Sequence, residues 1–109
     1  LRDLATEQAQ AHAERLSDRV MLSDLPVAAR FLAYLLDANK RFGTTKNGLA
    51  HVETPFTHDD LAALLDTRRV TITYAIKQLT DDGLFARDRH SYTFDPNTLE
   101  DALVDLATA

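Results

Sequence analysis

The chain has no cysteine. Disulfides, thiolate metal sites and cysteine nucleophiles are therefore excluded, and the composition suits the cytoplasm. No apolar run approaches the ~18 residues that a membrane span needs, and no secretory signal is visible. Glycine and proline are scarce, three of each, and there is no Gly-rich loop to cradle a phosphate. No nucleophile stands beside a base. The four histidines, His12, His51, His58 and His90, fall on different elements without metal-ligand spacing. These absences leave no catalytic residue, no metal site and no cofactor to assign, and an enzyme is not expected. One absence is local. From Thr67 to Thr80 there is no acidic residue, in a chain that carries 17 Asp and Glu.

What is present suffices for one core. A length of 109 residues gives one domain, or one domain plus an arm. Apolar residues make up 45% of the chain, enough for a single hydrophobic interior. The net charge is −5, but its distribution matters more than its sum. Between Thr67 and Thr80 the only charges are Arg68, Arg69 and Lys77. Arg87 and Arg89 come shortly after, and Lys40, Arg41 and Lys46 form another positive group. Acids gather at Asp3, Glu7, Glu14 and Asp18, and again at Asp95, Glu100, Asp101 and Asp105. A chain with one basic face and acidic flanks is compatible with DNA binding despite a negative total.

Periodicity divides the chain. Residues 1–22 are rich in Ala, Gln and Glu, lack Gly and Pro, and read as helix. Leu1, Ala5, Ala9, Leu16 and Val20 fall near one stripe, interrupted by His12 and Arg19. That pattern suits either a solvated helix or the end of a dimerisation helix. The start at Leu1 rather than Met suggests a piece of a longer protein. Next, Asp24 is placed to cap a helix and Pro26 to occupy its first turn. Ala28, Phe31, Leu32, Leu35 and Leu36 repeat at helical spacing. Lys40 and Arg41 suit the last turn, and Gly43 a stop. Thr44 to Gly48 is polar and loop-like, and Leu49 to Phe56 reads as a short strand ended by Pro55.

Thr57 then opens a helix, with Asp60 at capping-box spacing and Leu61, Leu64 and Leu65 as the inner face. A turn follows at Asp66-Thr67, and Thr67 is placed to cap a second helix over residues 67–80. Ile72, Ala75, Ile76 and Leu79 face inward. Arg69, Thr73 and Lys77 lie four apart, with Val70 and Tyr74 on the adjoining row of the outward face. Gly83 ends this helix. Leu84–Arg87 and Ser91–Phe94 pair as a hairpin around Asp88-Arg89-His90, a wing over residues 84–94. Asp95-Pro96-Asn97 starts a last helix with Leu99, Ala102, Leu103 and Leu106 as its apolar stripe. The expected fold is mainly α with a small β-hairpin wing. It is a winged helix-turn-helix over residues 23–109, preceded by a helical arm over residues 1–22.

The outward face of the second helix carries the chemistry. Arg69 can give two hydrogen bonds to a guanine edge, and Val70 suits a thymine methyl. Thr71 and Thr73 can bond phosphate or base, while Tyr74, Lys77 and Arg68 suit phosphate oxygens. The plain alternative is an ordinary exposed helix, but such a face usually mixes Glu with Lys. Arg87, Arg89 and His90 can likewise be turn residues that keep a sheet edge soluble, or can rest on a DNA backbone.

From Leu25 to Phe94 the residues resemble the C-terminal DNA-binding domain of the Crp/Fnr superfamily of bacterial transcription regulators. The resemblance rests on the leading helix, the short strand before Thr57 and the Thr57-x-x-Asp60-Leu61-Ala62-x-Leu64-Leu65 helix. It continues through the Thr67-Arg68-Arg69 turn, the Ile72…Ile76…Leu79 core and Gly83-Leu84 before the wing. In that family an Arg early in the recognition helix reads guanine, and Arg69 matches it. Val70 stands where the family often has Glu, Tyr74 where it often has Arg, and Asp66 where it has the turn glycine. The resemblance implies an upstream sensor barrel and a long dimerisation helix, whose end residues 1–22 resemble. It thus implies double-stranded DNA as the partner, a homodimer in the full-length protein and no membrane. The competing expectation is a winged-helix module for protein–protein contact, suggested by the acidic ends and by exposed Val70 and Tyr74.

Overall fold

The spacing of Phe31, Leu32, Leu35 and Leu36 builds the helix around which the domain is arranged. A computed structural model of the protein describes residues 25–108. The expected arm over residues 1–22 and the expected cap Asp24 lie outside the described residues. Helix α1 runs Val27–Phe42 and buries Ala29, Phe31, Leu32, Leu35, Leu36 and Ala38. Pro26 holds its N-cap position, one place before the first turn expected for it, with no side-chain cap bond. Lys40 and Arg41 occupy its last turn. Gly43 ends it, though not in a left-handed conformation: its φ is −74° and ψ 161°. Glycine is needed there because a Cβ would lie 2.8 Å from the Asn39 Cα and carbonyl oxygen.

The expected loop after Gly43 is a strand. Strand β1 (Thr44–Lys46) pairs antiparallel with β2 (Leu49–Glu53), with Lys46 opposite Leu49. Asn47 and Gly48 form the connection with φ of 54° and 80°, the double positive φ of a type I′ hairpin turn. The Asn-Gly signal was in the sequence; the polar composition of Thr44–Lys46 masked it. β1 is fully exposed and has no apolar residue to mark an inner face.

Helix α2 (His58–Leu64) opens with the expected capping box. Thr57 Oγ1 accepts from Asp60 N–H, and Asp60 accepts from Thr57 N–H at 3.0 Å. Leu61 and Ala62 are buried in it, whereas Leu64 is exposed and Leu65, after the helix, is half-buried. Seven residues make less than two turns, so only one position of the expected leucine trio reaches the core from the helix itself. Helix α3 (Arg69–Asp81) buries Ile72, Ala75, Ile76 and Leu79. Strands β3 (Ala86–Asp88) and β4 (Ser91–Phe94) form the wing, and the sheet order is β1-β2-β4-β3. Helix α4 (Pro96–Thr108) starts at Asp95, whose carboxylate accepts from Asn97 N–H, and buries Leu99 and Leu103.

α1 packs against α3, α4 and β2, so the core sits around it. Phe31, Phe85 and Tyr92 meet edge to face with centroids 5.3–5.9 Å apart, an arrangement that adds to simple burial. This aromatic trio fastens the base of the wing to α1.

Candidate nucleic-acid interface

The turn between α2 and α3 sets the geometry of the site. Thr67 N–H bonds the Ala62 carbonyl at 2.8 Å, with Asp66 N–H reaching Ala63. Asp66 has φ 57°. This is a Schellman ending with an aspartate in the left-handed place usually given to glycine. The same motif ends α3, where Leu84 N–H bonds Leu79, Gly83 N–H bonds Thr80, and Gly83 has φ 79°. Arg30 of α1 clamps the first of these turns. Its guanidinium donates to the carbonyls of Leu65 at 2.9 Å and Asp66 at 3.1 Å, and its Nε donates to Leu25 O. A cation on the last carbonyls of a helix is favourable for the dipole as well.

Helix α3 begins one or two residues later than expected. Arg68, not Thr67, is its N-cap, and no side chain caps it. Its first-turn N–H groups and positive dipole end are left open, which suits an anion. The outward side is a shallow open groove lined by Arg69, Val70, Thr71, Thr73, Tyr74 and Lys77. Val70 is 77% exposed and Tyr74 63%. The cations on this face have acidic neighbours at its two ends. Arg69 lies 3.9 Å from Asp59, and Lys77 Nζ is 2.9 Å from Asp81. The bond to Asp81 holds the Lys77 ammonium pKa above its ordinary value. Tyr74 OH accepts from Gln78.

The wing approaches this face through one residue. His58 Nδ1 is 2.8 Å from Thr73 Oγ1, and Arg87 Nη2 donates to His58 Nε2 at 3.2 Å. Arg87 Nε also donates to the Arg89 carbonyl. The wing turn is only Arg89-His90, because Asp88 pairs with Ser91. Arg89 has φ 59°, the left-handed region that a long side chain rarely adopts. The His90 carbonyl accepts from Thr54 N–H, which ties the turn to the end of β2.

The sequence model of the Crp-like helix-turn-helix domain matches residues 28–102. The chain belongs to that family. This Crp-like domain is a DNA-binding domain of the kind found in transcription regulators. Comparison with curated proteins gave no match. Among solved structures, the chain is similar to TTHA1359, a CRP/FNR-family transcriptional regulator from Thermus thermophilus. Identity is 25% and TM-score 0.64, over 94% of this chain and 50% of that one. A mutant of CooA from Carboxydothermus hydrogenoformans matches at 18% identity and TM-score 0.63, over 71% of this chain and 36% of that one. The reduced CO-sensing protein of R. rubrum matches at 22% and 0.57, over 88% and 45%. The last two likenesses speak for the fold alone. The chain spans between 36% and 50% of the length of these three structures.

Of the expected site residues, Arg69, Val70, Thr71, Thr73, Tyr74 and Lys77 share the α3 groove of the Crp-like domain. Arg68 sits at its open N-terminal end, and Arg87 joins the group through His58. Arg89 sits in the wing turn, where its main-chain carbonyl accepts from Arg87 Nε. Arg30, Asp59 and His58 were missed as site residues. Arg30 bonds backbone carbonyls 35 and 36 residues away, which no local pattern marks. His58 looked like one more polar residue in a helix first turn. Among the described residues no group of three His, Cys, Asp or Glu is placed to hold a metal ion, and no helix is long and apolar enough to cross a membrane.

Proposed function

We propose that this domain binds duplex DNA sequence-specifically, with α3 in the major groove and the wing (84–94) on the adjacent backbone. The observation that carries this reading is the α3 groove: an exposed face with Arg69, Thr73 and Lys77 interleaved with uncovered Val70 and Tyr74. Arg69 would take a guanine edge and Val70 a thymine methyl. Thr71, Thr73 and Tyr74 would bond base or phosphate, and Lys77 and Arg68 phosphate oxygens, with the open N-terminus of α3 adding to them. Arg87 and Arg89 would lie along the neighbouring backbone. The left-handed Arg89 supports this, since strained backbone is retained at working positions more often than elsewhere.

In the full-length protein two copies would set their recognition helices one helical turn apart, ~34 Å, on a palindromic site. The protein would act in the cytoplasm as a transcription regulator. The test is selection of sites from a random duplex pool at two salt concentrations. A short palindromic or half-palindromic motif supports sequence-specific regulation. Salt-sensitive binding without a motif would reduce the reading to backbone contact. No binding at either salt would favour a protein-interaction module using Val70 and Tyr74.

A further inference from the structure

One imidazole ring joins three elements of the interface. His58 is the first residue of α2, and its ring stands between Thr73 on α3 and Arg87 on β3. A guanidinium only donates hydrogen bonds, so Nε2 must be the acceptor for Arg87. The ring proton is then on Nδ1 and is donated to Thr73 Oγ1. This is a neutral ring in the less common Nδ1–H form. Thr73 accepts there and keeps its own hydroxyl proton for a further partner. Arg87 continues the chain of bonds to the Arg89 carbonyl, so α2, α3 and the wing turn are held as one unit.

We propose that His58 is a positioning residue for DNA binding: its neutral ring aims Arg87 and Thr73, and a proton on Nε2 frees the Arg87 side chain from the ring. The proposal rests on the DNA reading of α3 and the wing. The charges facing the ring are Arg87 and His90 from the wing, Arg69 from α3 and Asp59 from α2. Burial is the first cause that holds the His58 pKa below the ordinary 6.5. Arg87, Arg69 and His90 add to it, and Asp59 opposes. A proton on Nε2 removes the acceptor and sets two cations 3.2 Å apart. The Nδ1 bond to Thr73 survives, so acid acts on the Arg87 side chain rather than on α3. A held Arg87 leaves one less long side chain to order on binding. Its release therefore weakens the complex, whereas a ring that met phosphate directly would bind better when charged.

Two measurements on the whole chain test this. A long-range proton–nitrogen NMR spectrum of the free protein reads the tautomer without any DNA. The expected result is the Nδ1–H form for His58, reverting to the common Nε2–H form in Arg87→Ala. An Nε2–H ring in the wild type overturns the proposal whatever happens with DNA. The second measurement is affinity for the wild type's own selected duplex, followed from about pH 8 to about pH 5.5, which brackets ordinary histidine titration. The wild type should lose about five-fold on acidification, the scale of one exposed charged hydrogen bond. His58→Gln, whose amide oxygen accepts from Arg87 without titrating, should lose less than the wild type over the same range, with His90 present in both. His58→Ala should be weak throughout. Identical profiles for wild type and His58→Gln, or a wild type that gains more in acid than His58→Gln, overturn the proposal.

Discussion

Arg30→Ala is the substitution that tests the architecture most directly. Among the described residues, Arg30 donates hydrogen bonds to the main-chain carbonyls of Leu25, Leu65 and Asp66. Two are partly buried and one is exposed. Bonds from a charged donor contribute about 1.5–3 kcal/mol when desolvated, and considerably less when water can replace them. Counting about 1 kcal/mol for each shielded bond and little for the exposed one gives a loss of ~2 kcal/mol. For a domain of this size that lowers Tm by roughly 8–10 °C. Urea unfolding followed by circular dichroism should show the midpoint falling at an unchanged slope, since the native surface is the same. Arg30→Lys should recover less than half, because an ammonium cannot span carbonyls in a planar fork. A loss under about 0.5 kcal/mol, the range of ordinary surface changes, would refute the clamp. Full recovery by lysine would show that charge alone matters.

Arg69→Ala should cost about 1–3 kcal/mol in DNA binding and relax selectivity at one base pair; uniform weakening across sequences would make Arg69 a phosphate contact. Lys77→Ala should lower the salt slope by up to ~0.9, and a slope equal to wild type would remove Lys77 from the interface. Gly83→Ala should destabilise by about 1 kcal/mol in chemical denaturation. Nothing lies within 4 Å of the added Cβ, so the loss is the strain of a left-handed residue, partly offset by the lower conformational entropy of the unfolded chain. Stability should also fall in acid. The folded His58 value is below 6.5, so the unfolded chain takes the proton first and stability declines as pH drops through about 6.5. His58→Gln should show a shallower decline on the same titration.

Long-range order in this domain was legible where side-chain spacing repeats. The inward rows of α1, α3 and α4 were set by apolar residues three and four apart, and those helices bury most of them, with Ala28, Ala102 and Leu106 half-buried. The capping box at Thr57 and Asp60 was readable because both partners lie within four residues. Short elements were less readable. β1 carries no apolar alternation, and α2 ends at Leu64, so Leu65 falls past the helix whose face it was expected to share. The α3 face was legible as composition, a row of outward residues free of acid. Its electrostatic partners were not, because Asp59 comes from a different helix and Asp81 lies just past the acid-free window. Arg30 and His58 act across 35 and 29 residues of sequence. Only the folded turn brings their partners within reach.

The negative charge of the chain and the basic face are reconciled by where the acids sit. α3 turns its apolar row toward the core, where α1 packs on it, and α1 also packs against α4. The acids of α4, Glu100, Asp101 and Asp105, do not line the groove. Asp59 and Asp81 are different: they border the groove and partner Arg69 and Lys77. Exposed pairs of this kind contribute only about 0–1 kcal/mol, so exchanging them for phosphate or a base edge costs little. On a random sequence, however, phosphate contact is nearly all that binding gains. Acids at the rim of the groove therefore lower total affinity, and lower specific and non-specific binding by the same factor wherever the pair is given up in both. By this argument Asp59 and Asp81 moderate total affinity at little cost to an exchange for DNA, and the −5 charge of the chain is compatible with DNA binding at this face.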